Sequence, residues 1–170
     1  VRLINLYSEF FREYGVNIGQ VLTMKECFSS PEAYQNQRAC MDVMLHNDVV
    51  PIINENDTVS ITELMFTDND ELAGLMAMMM KADTLVILSN IDGLYDSNGS
   101  VVRTVQPGED MSRYIRPDKS GLGRGGMTSK CSIAGKVAAS GTKVIIANGK
   151  RDNILVKLLN DKDNTPCTEF

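Results

Sequence analysis

Apolar residues Leu3, Leu6, Tyr7, Phe10, Phe11 and Tyr14 recur at steps of three and four, which places them on one face of a helix. Gly15 is suited to close that helix, because a residue without Cβ enters the left-handed conformation at little cost. A short strand is expected over 18–22. Ser30, Pro31 and Glu32 form a helix-start signal: the hydroxyl accepts from free amides, proline already has a helical φ, and the helix runs to about Leu45. Residues 49–53 read as a buried strand. Rough alternation over 59–66 predicts a hairpin or an edge pair. Asp68 is placed to cap a helix carrying Leu72, Leu75, Met76 and Met79, and 84–88 is another continuous apolar strand. Ser97, Asn98 and Gly99 mark a turn before Val101 and Val102, and 106–126 is loop-rich. A helix over 130–139 closed by Gly141, a strand over 144–147 and a helix over 154–159 complete the pattern.

Strands apolar on both faces that alternate with helices imply a mainly parallel sheet covered on both sides. The expected class is α/β, a three-layer αβα sandwich, with ligands beyond the carboxyl ends of the strands. At 170 residues and 43% hydrophobic content the chain fits one domain, burying roughly 70% of the surface its unfolded form exposes. It opens directly in a core-facing helix at Val1, as a fragment would.

Acidic residues outnumber basic ones by 22 to 17, and no basic block exceeds two residues, which argues against nucleic acid or an anionic membrane as the main partner. The longest apolar stretch, Leu72 to Met80, falls short of the roughly 20 residues a span needs. Cys27, Cys40, Cys131 and Cys167 are far apart and accompanied by one histidine, so neither a zinc site nor a disulfide framework is indicated, and a reducing cytoplasm is expected. His46 reads as a helix-end residue, Met76, Met78, Met79 and Met80 as core filling, and Cys131 as a buried structural thiol.

Three polar clusters follow predicted strands. Asn54, Glu55, Asn56 and Asp57 offer amides and carboxylates able to satisfy the ammonium and carboxylate of an amino acid, or alternatively form an Asx-rich turn. Thr67, Asp68, Asn69 and Asp70 open a helix; capping needs one acid, and the surplus can orient a lysine, a metal-bound phosphate or a substrate amine. The run Gly121-Leu-Gly-Arg-Gly-Gly-Met-Thr-Ser-Lys130 leads into a helix, so that bare amides and a helix N-terminus can approach phosphate oxygens while Lys130 neutralises charge; a surface loop is the alternative. Its spacing differs from that of a Walker A loop.

Pro51-Ile-Ile-Asn-Glu-Asn-Asp57, Asp68-Asn-Asp70, Leu88-Ser-Asn-Ile-Asp-Gly-Leu-Tyr95 and Gly125-Gly-Met-Thr-Ser-Lys130, in that order, resemble the motif series of the glutamate 5-kinases, within the amino acid kinase family. The similarity extends through Cys167-Thr-Glu-Phe170. The resemblance implies the amino acid kinase fold and transfer of the γ-phosphate of ATP to the side-chain carboxylate of L-glutamate, the first step of proline biosynthesis. It implies Mg²⁺ carried by the ATP phosphates rather than by direct protein ligands, and a dimer or tetramer. Asn54, Asp57, Asp68 and Asn69 would bind glutamate, with Asp70 organising the reacting groups and Lys130 stabilising the transferring phosphoryl. Ser89, Asn90, Arg124, Gly125, Gly126, Met127, Thr128, Ser129 and Lys130 would face ATP.

Asn90 stands where that family usually shows aspartate, and Arg124 where a small hydroxyl residue is common, offering an additional phosphate contact. The family's opening strand, its glycine-rich phosphate loop with a second lysine, and its serine-bearing glutamate loop have no counterpart here. Nor does its optional C-terminal RNA-modification-type domain. The expectation is a kinase domain incomplete at the N-terminus and inactive or weak by itself. Another member of the wider family, acting on acetylglutamate, aspartate, carbamate or a nucleotide, and a non-catalytic nucleotide-binding fragment are the alternatives.

Overall fold

A computed structural model of the chain describes residues 2–58, 65–114 and 126–170. They form two compact units, residues 1–72 and 73–170. In the first, α1 (Arg2–Arg12) leads through a turn at Gly15, whose φ of 69° is the left-handed conformation a helix end favours, into β1 (Asn17–Thr23). Helix α2 (Pro31–His46) then crosses over to β2 (Val49–Glu55), which pairs with β1 in parallel from Asn17↔Val49 to Thr23↔Glu55. Ser30 caps α2 as its sequence predicts, its hydroxyl accepting from the Ala33 amide at 3.4 Å. At the other end of α2, His46 donates through Nδ1 to the Asp42 carbonyl at 2.6 Å, a helix-end role. The first unit closes with the start of α3 (Asn69–Met80).

The second unit contains the rest of α3, β3 (Thr84–Ser89), α4 (Met127–Ala139), β4 (Lys143–Asn148), α5 (Ile154–Asn160) and β5 (Cys167–Glu169). Strand β4 is central: β3 pairs with it in parallel, β5 antiparallel. Its alternating side chains explain why the sequence reads as one continuous apolar run. Val144 and Ile146 pack with Ala77 of α3, Ile87 of β3, and Ala134 and Val137 of α4. Ile145 and Ala147 turn the other way, onto Ile154 and Leu158 of α5 and onto Cys167. A strand buried on both faces needs helices on both faces, and this unit is the expected αβα arrangement.

The boundaries differ from the sequence reading in informative places. Asn54 and Glu55 belong to β2 rather than to a loop, because the ladder to β1 continues through Leu22↔Asn54 and Thr23↔Glu55. Helix α4 starts at Met127, three residues before its apolar periodicity is visible. Strand β5 was not foreseen. The predicted turn at 97–99 is present, with Asp96 Oδ1 accepting from the amides of Asn98 and Ser100, both at 2.9 Å. Met76 and Met79 are buried as expected. Cys131 is a buried thiol whose pKa burial pushes up to about 11, which fits a structural role. Of the predicted pair over 59–66, residues 59–64 lie outside the described residues, as do 115–125 of the loop-rich stretch.

Candidate functional site

The first unit gathers two of the three polar clusters at one end of its strand pair. The carboxyl ends of β1 and β2 lie side by side, at Thr23 and Glu55, and the Asn56 amide donates to the Thr23 carbonyl at 2.8 Å. Glu55 reaches forward to accept from the Phe66 amide at 3.1 Å, and Phe66 packs edge-on to Phe28 with ring centroids 5.8 Å apart. These contacts tie the strand ends to the segment entering α3. Asp68 caps that helix, accepting from the Glu71 amide at 2.9 Å, while Glu71 accepts from the Thr67 amide at 2.7 Å and pairs with Lys25 at 2.8 Å. Partial burial pushes the Glu71 carboxyl upward, but Lys25 and the Thr67 amide outweigh it and hold the group below the ordinary carboxylate range.

With Glu55 and Glu71 committed to scaffolding, the side chains presented at this end are the ones the motif singles out. Asn54, Asp57 and Asn69 are exposed, and Asp68 and Asp70 are half-buried in the first turn of α3. An exposed amide and carboxylates beside a helix N-terminus suit a zwitterionic ligand carrying both an ammonium and carboxylates.

In the second unit the carboxyl ends of β3 and β4 are again neighbours, at Ser89 and Asn148. The Ser89 carbonyl accepts from the Gly149 amide at 2.8 Å, and exposed Asn90 follows. The loop beyond is clamped on two sides. Asp92 receives both Nε and Nη2 of Arg151 at 2.7 Å and the Asn148 amide nitrogen at 3.0 Å. The guanidinium chiefly, and Asn148 after it, hold the Asp92 carboxyl below its usual range. On the other side, Thr168 of β5 accepts from the Leu94 amide at 2.8 Å and donates to the Val102 carbonyl at 2.7 Å. Gly93, at φ 153°, lies against Thr168: a Cβ there would overlap its Oγ1 and stand 3.0 Å from its amide nitrogen.

Helix α4 begins beside this loop. Buried Leu94 packs with Cys131 and Met127 of α4 in one apolar cluster, so the loop after β3 and the first turn of α4 share a core. Gly126 is the N-cap, in extended conformation at φ −69° and ψ 179°, and as a glycine it offers no side-chain cap of its own. Helix N-terminal amides of this kind are suited to an anion. Gly126, Met127, Thr128, Ser129 and Lys130 line this turn, with Lys130 half-buried and its amide bonded to the Gly126 carbonyl at 3.2 Å. Arg124 and Gly125 lie outside the described residues. Lys130 belongs to the second unit and Asp70, the other residue assigned to catalysis, to the first.

Sequence reasoning missed Glu71 with Lys25, and Asp92 with Arg151 and Asn148. Glu71 had a signal, since Asp68 followed by Glu three residues later is the pattern of a capping box. The Asp92–Arg151 pair joins residues 59 apart and leaves no local trace.

Two units that each carry polar residues at the carboxyl ends of parallel strands, one of them followed by a glycine-led helix, define an α/β kinase-like fold class. The family model of the amino acid kinase family matches residues 1–148, and the chain belongs to that family. Among its relatives, a glutamate 5-kinase of Bacteroides thetaiotaomicron is 59% identical over 99% of this chain and 48% of its own length. A second, from Chlorobaculum tepidum, is 48% identical over 91% of this chain and 44% of its own length. The chain spans about half the length of the curated relatives it matches. Solved structures share the fold: UMP kinase from Ureaplasma parvum, with a TM-score of 0.57 at 12% identity, covers 93% of this chain and 61% of its own. An isopentenyl phosphate kinase substrate complex, with a TM-score of 0.61 at 16% identity, covers 92% and 61%.

Proposed function

We propose that the chain carries the chemistry of a glutamate 5-kinase, moving the γ-phosphate of ATP onto the side-chain carboxylate of L-glutamate to give L-glutamyl 5-phosphate, the first step of proline biosynthesis. The observation that carries this reading is the 59% identity to a glutamate 5-kinase across 99% of the chain. The acceptor residues are Asn54, Asp57, Asp68 and Asn69, with Asp70 orienting the reacting groups. Ser89, Asn90 and the run Arg124, Gly125, Gly126, Met127, Thr128, Ser129 and Lys130 hold ATP. The glutamate carboxylate is itself the nucleophile, so the protein's work is positioning and charge neutralisation. Lys130 meets the negative charge of the transferring phosphoryl, and the amides opening α4 hold its oxygens.

Magnesium bound to the ATP phosphates supplies further neutralisation. Among the described residues no group of three or more His, Cys, Asp or Glu is placed to hold an ion by itself. A glycine-led helix start with a lysine one turn in fits a metal-bearing polyphosphate. No helix among the described residues is long and apolar enough to cross a membrane. The reading places the protein in the cytoplasm as a homodimer or homotetramer.

The test is hydroxylamine trapping with the whole protein: ATP, Mg²⁺ and glutamate should yield γ-glutamyl hydroxamate, alongside calorimetric titration of ATP. Turnover with another acid and none with glutamate would reassign the substrate within the family. ATP binding without turnover of any acid would identify a nucleotide-binding module.

A further inference from the structure

The second unit holds a cavity of about 620 Å³ with no part in the chemistry above. It reaches Thr142 and Lys143 at the amino end of β4, whereas Ser89 and Asn148 occupy the carboxyl ends of the strands. It is lined by Val105, Pro107, Met111 and Phe170 together with Gly135 and Ala139 of α4. The volume lies within the roughly 300–1,000 Å³ of small-molecule sites.

Gly135 is the first clue to an occupant. A glycine inside a helix costs about 1 kcal/mol relative to alanine, so it calls for a reason. Gly74 on α3 has one, since a Cβ there would stand 2.7 Å from Ile133 Cγ2. At Gly135 a Cβ would meet, among the described residues, only Met111 Cε, at 3.5 Å, an ordinary contact. Packing among the described residues therefore does not require glycine here. Its bare Cα instead leaves the cavity wall flat and close to the helix backbone.

Charge is the second clue. Lys136 and Lys143 line the cavity, and neither forms an ion pair among the described residues. The acid in the lining, Glu109, is already engaged by the Gln106 amide at 2.8 Å, the Tyr114 hydroxyl at 2.7 Å and the Arg113 guanidinium. An apolar trough beside two uncompensated ammonium groups complements a molecule with a flat apolar body and an anionic group.

We propose that this cavity is a second binding site, for a flat aromatic or alicyclic organic anion lying over Gly135 with its charge toward Lys136 and Lys143. The probe is 8-anilinonaphthalene-1-sulfonate, titrated by fluorescence against the chain, with the uncharged N-phenyl-1-naphthylamine as comparison. The expected result is one saturable sulfonate site, weakened by salt, with the neutral probe binding at least tenfold more weakly. Gly135→Leu, which fills the trough, and the double change Lys136→Ala with Lys143→Ala should each reduce sulfonate affinity about tenfold or more. Gly135→Ala is the conservative control: it should raise the melting temperature and still weaken the probe severalfold, so the question is answered even if the leucine variant does not fold. Sulfonate binding that survives the alanine and the lysine variants belongs to another apolar surface, such as the exposed face of α1, and overturns the proposal. A neutral probe binding as tightly as the anion overturns it as well.

Discussion

Each unit carries its candidate residues at the carboxyl ends of its own parallel strands, but the two scaffolds differ in depth. In the second, β4 is buried over four successive residues, and the loop after β3 is fixed by an arginine on one side and a buried threonine on the other. In the first, no residue of β2 is fully buried, and α1 has no buried residue at all, leaving Leu3 and Phe10, and Tyr14 just beyond the helix, strongly exposed. Its candidate side chains are held indirectly, through Glu55 and Glu71. Substitutions in the second unit should therefore perturb both stability and chemistry, whereas those at exposed Asn54, Asp57 and Asn69 should change ligand binding and little else.

The largest effect expected is on Lys130. In a chain that turns over, Lys130→Ala should cost about 3–4 kcal/mol of transition-state stabilisation, two to three powers of ten in kcat, with the glutamate KM little changed. A hydroxamate assay that found only a raised KM would move Lys130 from catalysis to binding. Thr168→Val removes the acceptor for the Leu94 amide and the donor to the Val102 carbonyl at a fully buried position. The cost should be about 2 kcal/mol, a fall in Tm of roughly 4–8 °C by scanning calorimetry. Asp57→Ala, at an exposed position, should raise the glutamate KM about 10-fold and leave Tm and ATP affinity in place. A Tm loss equal to that of Thr168→Val would erase the contrast between the units.

Smaller effects sharpen the same contrast. The Asp92 carboxyl titrates lower folded than unfolded, so its pairing with Arg151 contributes fully above the ordinary aspartate value of about 3.9 and is lost as pH falls through the lower folded value. Asp92→Asn should accordingly lower Tm at near-neutral pH, and the gap to the parent should close on acidification. The arginine is partly exposed, so the gap should be modest and shrink with salt. Smallest is Ser30→Ala, whose long, exposed cap bond should be worth about 0.5 kcal/mol in urea denaturation.

What the sequence disclosed was whatever is encoded locally. The Ser30-Pro31 start of α2, the turn at Gly15, the apolar runs of β2, β3 and β4, and the clusters at Asn54 and Asp68 each depend on residues a few positions apart. Helix α4 was legible only from Lys130, because glycines before Met127 give no periodicity to read. Strand β5 escaped because Cys167–Glu169 is too short to show alternation and draws its strand character from pairing with Ile145, Ile146 and Ala147. The clamps on the loop after β3 escaped for the same reason: Arg151 and Thr168 act on residues 59 and 74 positions away. Placement of the candidate site was thus readable, and the means of holding it rigid were not.

The bond from Thr168 to the Leu94 amide has a consequence for biosynthesis. As the polypeptide leaves the ribosome, the Asp92-Gly-Leu segment emerges long before the residue that locks it. Until then the Leu94 amide has no Thr168 hydroxyl to meet, and Gly93 must keep a conformation few residues tolerate without the contact that selects it. Order in the loop after β3 should therefore arrive late, after synthesis has passed β5.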